Sequence, residues 1–148
     1  MTLQTTLANL KGELSGFMAL LDEETAALGA NQADALAPLL TRRDAANRRL
    51  SGLWQALSAN LALPADAGIA AVRERCAGQA AKEWAAVEAL ARRAEQQNRL
   101  NGKLVDEQLH RTQAALQVLR NAAGNRTLYG SDGRMSDFLD SNRSIDTA

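Results

Sequence analysis

The spacing most suggestive of chemistry in this sequence is Glu107-Gln108-Leu109-His110, which on a helix sets a carboxylate and an imidazole on one face. Carboxylate-bridged di-iron bundles are built from such pairs, but each needs two of them and two further glutamates. His110 is the only histidine in the chain, so one copy lacks the second imidazole, and only a symmetric dimer would supply it. We therefore expect no metal and no cofactor, and read Glu107 and His110 as exposed polar residues on a long helix. Cys76, the only cysteine, has no partner for an intramolecular disulfide. It has neither a nearby histidine to act as base nor a glycine-rich elbow around it, and its place on an apolar helix face points to packing. The glycines are scattered and form no phosphate-binding loop. Nothing here reads as an enzyme.

Charge narrows the partners further. Seventeen basic residues balance seventeen acidic ones, without the concentrated positive surface that a phosphate backbone demands, so nucleic acid is not expected. Arg42, Arg43, Arg48 and Arg49 form the densest basic group, either a solvated helix face or a patch for an acidic partner. Acids and bases mix on every helix, unlike a membrane-surface helix. Residues 1–14 lack the basic-then-apolar order of a leader, and no run of about 18 apolar residues could span a bilayer. We expect a cytoplasmic protein without membrane insertion.

The elements that position these residues are helical throughout. Hydrophobic residues make up 46% of the chain but aromatics only 3%, and there are two prolines; such alanine- and leucine-rich sequence suits close-packed helices. Leu3, Leu7, Leu10, Leu14, Phe17, Leu21, Glu24 and Leu28 alternate steps of four and three, a coiled-coil seam breached only by Glu24. This predicts a first helix over about 2–29, stopped by Gly29, with Asn31 as N-cap of the next. A second helix starts near Gln32, with Pro38 as an irregularity or a late start, and carries Leu36, Leu40, Leu50, Trp54, Leu57 and Leu61. The polar gap at Arg43 and Asn47 reads in two ways: a register-fixing layer, or a seam drifting onto Leu39, Ala46 and Leu53. After a break at Pro64, Ile69, Val72 and Cys76 mark a short connector helix, which Gly78 ends or kinks.

From about 79 to 122 only Gly102 interrupts a long helix, about 60 Å at 1.5 Å per residue. Trp84, Val87, Ala91 and Ala94 give it an apolar face, and Val105, Leu109, Thr112, Leu116 and Leu119 resume that face after a polar middle. The fold expected is all-α: an elongated antiparallel helical bundle or coiled-coil-like hairpin whose long last helix protrudes in its second half. A bundle domain spans 1–124 and a flexible tail 125–148, where turn-forming residues take over.

Asn98, Asn101 and Gly102 followed by Leu104 and Val105, then Thr112, Leu116 and Leu119, then Thr127-Leu128-Tyr129-Gly130-Ser131-Asp132-Gly133 resemble the C-terminal pattern of the FlgN family. About a quarter of the chain carries the close likeness, with Asn98, Asn101, Gly102, Gly130 and Gly133 as its motif residues. The resemblance implies a cytosolic chaperone of type III flagellar export. Such a protein binds hook-filament junction (hook-associated) proteins, prevents their premature assembly and delivers them to the export gate. By the same resemblance, Val105, Leu109, Thr112, Leu116 and Leu119 would bind the helical C-terminus of the cargo, and Tyr129 would dock on the cytoplasmic domain of the gate. The competing reading is a scaffolding coiled coil in which these stripes pair between copies, a homodimer being the simplest case.

Overall fold

A computed structural model of the chain describes residues 1–129, with side chains through residue 124. Four α-helices follow one another: α1 (Leu3–Gly29), α2 (Ala33–Asn60), α3 (Ile69–Arg75) and α4 (Gly78–Tyr129). The all-α expectation holds, with helices packed on helices and no strand among the described residues. The chain divides into two units, Met1–Val105 and a second one beginning at Asp106, and α4 contributes to both.

In the first unit α1 starts where the Thr2 side chain accepts a hydrogen bond from the Thr5 backbone N–H at 3.2 Å, which satisfies one free donor of the helix end. The seam read from the sequence is buried: Leu7, Leu10, Leu14, Leu21, Glu24 and Leu28 are all inaccessible, and Leu3 and Phe17 are half-buried. Leu20 and Ala27 form a second buried edge with Leu39 of α2, because α1 has neighbours on two sides. Cross-links fix α2 antiparallel to α1. Thr6, near the start of α1, accepts from Asn60 at the end of α2 (2.9 Å); Glu13 meets Arg49 (2.9 Å), and Glu23 meets Arg42 (2.6 Å). Such exposed ion pairs contribute roughly 1 kcal/mol or less each. Their effect is on pairing, and they engage arginines of the basic group that a partner patch would need free.

Both interhelical turns differ from the sequence expectation in an informative way. Asn31 does not cap α2; it takes φ 55 and closes α1, with its N–H on the Leu28 carbonyl (3.2 Å) and that of Gln32 on Ala27 (2.9 Å). This is the Schellman arrangement, which ties off the last free carbonyls of a helix and requires a left-handed residue, a conformation asparagine tolerates. The end of α2 repeats it: the Ala62 N–H meets the Ala59 carbonyl (3.2 Å) and the Leu63 N–H that of Ser58 (2.9 Å). Here the left-handed residue, φ 50, is Ala62, whose Cβ makes the conformation costly. Pro38 lies inside α2 rather than delaying its start. Leu40 is 54% exposed and Asn47 is exposed, because the seam does drift, onto Leu39 and Ala46.

One core joins Leu7, Leu10 and Leu14 of α1, Leu57 and Leu61 at the end of α2, Val72 of α3, and Trp84 and Val87 of α4. Trp54 packs against it with its ring centroid 6.4 Å from that of Trp84. Cys76 is half-buried at its edge, and burial pushes its thiol pKa up, so it packs as a small apolar group. Gly78 opens α4 at φ 57, beginning the helix where sequence placed the end of the connector. The Arg73 guanidinium holds α3 against α4 through both oxygens of Glu88 (3.1 and 2.8 Å), and Glu88 also accepts from the Trp84 indole at 2.6 Å. The far end of α4 lies at Tyr129, beyond the expected end near Ala122. Gly124 has no crowding neighbour, and one glycine costs a helix only about 1 kcal/mol. The expected tail beyond Tyr129 lies outside the described residues.

Two measurements check this fold. Ala62→Gly relieves the left-handed strain and should raise unfolding stability by about 1 kcal/mol in urea titration. Hydrogen bonds from Arg73 hold the Glu88 carboxyl below its ordinary pKa. Its contribution is therefore complete above the unfolded value of about 4.3 and lost as pH falls through the lowered folded one. The stability difference between the wild type and Glu88→Gln should accordingly be largest at neutral pH and shrink on acidification.

Candidate partner-binding site

The apolar face of α4 changes character along its length. Trp84, Val87 and Ala94 are buried and Ala91 half-buried, whereas Val105, Leu109, Leu116 and Leu119 on the same seam are about half exposed or more, Leu119 by 65%. Thr112, also exposed, returns its hydroxyl to the Gln108 carbonyl of its own helix at 3.0 Å, so it adds no unsatisfied donor to the stripe. Large aliphatic groups left in water at helical spacing are the form a helix-accepting surface takes. Sequence reading missed Val118, exposed beside Leu119, and Leu100, because both lie off the strict seam. Counting a wider face would have found them.

Between the covered and uncovered parts lies a buried polar layer. Asn101 is 3% and Glu24 4% exposed. The Asn101 amide donates to the Leu21 carbonyl at 3.0 Å and to Glu24 at 3.3 Å. Its oxygen accepts from the Thr25 hydroxyl at 2.6 Å and from Gln97 at 3.3 Å, while Gln97 also reaches the Thr25 oxygen at 2.7 Å. From α2, Arg43 contacts both Glu24 oxygens (3.5 and 3.4 Å), donates to Asn98 and lies 5.9 Å from the Phe17 ring centroid. The breach at Glu24, the gap at Arg43 and the polar middle of α4 are thus one structure. Of the two readings of the α2 gap, both apply: the seam drifts and Arg43 joins a layer. Every buried side-chain nitrogen and oxygen among the described residues has a partner, the condition for such a layer to be tolerated.

Gly102, next to the layer, gives no close approach between helices: an added Cβ would meet nothing within 4 Å. Gly130 and Gly133 lie outside the described residues, as does the side chain of Tyr129. Glu107 and His110 are exposed, and the described residues hold no group of three His, Cys, Asp or Glu side chains fit for a metal. A groove between α1 and α2 is floored by Ala8, Gly12, Gly52 and Ala56, and its two charged residues, Glu13 and Arg49, pair with each other. No helix among the described residues is long and apolar enough to cross a membrane.

A family model described as FlgN protein matches residues 1–137. The chain belongs to the FlgN family. FlgN proteins are flagellar export chaperones, and the span matched takes in the polar layer, the exposed stripe and the motif at 127–133. No curated protein and no solved structure matches the chain. Within this FlgN chain the residues around the layer behave differently: Asn98 and Asn101 bind other helices, and Gly102 faces open space.

That contrast is measurable. Asn101→Ala strips Glu24 and the Leu21 carbonyl of a buried partner and should cost about 1–3 kcal/mol in chemical denaturation. Gly102→Ala should be neutral or stabilise by up to about 1 kcal/mol, since only helix propensity changes.

Proposed function

We propose that this FlgN protein is a cytoplasmic chaperone for hook-filament junction proteins and acts by binding alone. The helical C-terminus of the cargo lies along Val105, Leu109, Thr112, Leu116 and Leu119, which keeps it from assembling early. The exposed aliphatic stripe of α4 carries this reading. An amphipathic cargo helix would remove it from water and have its own apolar face covered in return, with a few anchors supplying most of the energy. Tyr129, an aromatic with a polar tip, docks the loaded chaperone on the cytoplasmic domain of the export gate. Contact through one aromatic anchor gives modest, reversible affinity, which suits delivery.

Calorimetric titration with the C-terminal helical segment of a junction protein tests this. The full chain should bind at roughly micromolar Kd or better. The pair Leu109→Ser and Leu116→Ser should weaken binding at least about tenfold, a loss expected when anchors are truncated. Tyr129→Ala should leave cargo binding intact and weaken capture by the gate domain. Absence of binding to every junction-protein segment, together with a stable dimer in sedimentation, would replace the chaperone with the homo-oligomeric scaffold.

A further inference from the structure

Removal of the polar layer leaves little to define how the distal part of α4 sits against α1. Near the start of α4 the large Trp84 and Val87 side chains interlock with the leucines of α1. Further along, the face of α4 toward its neighbours is Leu90, Ala91 and Ala94, mostly small groups that constrain alignment less than the tryptophan does. The stripe beginning at Val105 is more apolar than this covered stretch and resumes its seam after the polar layer, with two steps of four in a row at 101, 105 and 109. Hydrophobic burial alone would therefore reward arrangements in which α4 moves to cover its own leucines.

We propose that the layer of Glu24, Thr25, Arg43, Gln97, Asn98 and Asn101 is a register key, which holds the distal part of α4 in one alignment and so keeps the stripe beyond it uncovered. Asn101 reaches the Leu21 carbonyl, Glu24 and Thr25 at once, and those three acceptors and donors stand together at only one height on α1. A shift of one turn along α4, about 5.4 Å, would leave the buried Asn101 amide without its α1 partners and take from Glu24 every contact but that of Arg43. A buried polar residue in an otherwise apolar seam fixes alignment in this way at some cost in stability. The value of an open stripe rests on the chaperone reading, whereas the alignment itself does not.

Pulsed electron-spin distance measurements test the key on the full chain in the absence of cargo, with Cys76→Ser to leave only introduced labels. One labelled pair replaces exposed Asp22 and Gln96, at the distal end; the other replaces exposed Lys11 and Lys82, nearer the Trp84 core. In the otherwise unaltered chain both pairs should give one narrow distribution. Glu24→Leu with Asn101→Leu should keep helicity and cooperative melting, yet broaden the distal distribution or add a second population while the proximal one stays narrow. Thr25→Val, nearly isosteric, should show the same change to a smaller extent and serves if the double variant does not fold. A distal distribution as narrow as before in the folded variants would overturn the proposal. Broadening combined with failure to bind any junction-protein segment would keep the key and remove only the chaperone reading.

Discussion

The leucine seam of α1 is the constraint on which the first unit depends. Its residues are buried toward helices on both sides, and each leucine taken from water supplies about 1.5–3 kcal/mol. A helix pair built from alanine and leucine alone leaves many alignments nearly equal in energy, since such side chains make few directional contacts. Direction enters through sparse polar links. The Asn60–Thr6 contact and the arginine–glutamate pairs orient α2, Arg73 and Glu88 fasten α3, and the layer around Asn101 engages α1, α2 and α4 together.

Much of this was legible in the sequence because heptad spacing reports directly on burial. Every member of the α1 seam is buried or half-buried, and the Trp84, Val87, Ala91 and Ala94 face is covered as its spacing implied. Where periodicity and residue type disagreed, position in three dimensions decided. Leu40 fits the second seam by spacing yet is exposed, because a straight helix drifts off a seven-residue repeat and Leu39 turns inward instead. Asn31 closes α1 instead of opening α2, since the side chain that suits an N-cap also tolerates the left-handed backbone of a C-terminal turn. No local rule marks Ala62 as such a residue; its conformation follows from the need to reverse the chain while keeping Leu61 and Leu63 on the core.

The site shows the same division. That Val105, Leu109, Leu116 and Leu119 form a stripe is arithmetic; that they face water is a property of the fold. Glu24, Arg43 and Asn101 each registered as an interruption in a separate helix, and nothing in one dimension joins residues so far apart in sequence. The polar layer explains why α4 carries asparagine at 98 and 101, where packing alone would favour leucine.

The tryptophan pair has a practical consequence. Trp54 and Trp84, the only two in the chain, stand together against one core, and neither belongs to the unit that begins at Asp106. Intrinsic fluorescence excited at the indole band is therefore a private report on the folding of the first unit. A tryptophan-free ligand offered to the leucines from 109 to 119 adds no indole emission of its own, so optical melting curves taken with and without it can be compared on one baseline.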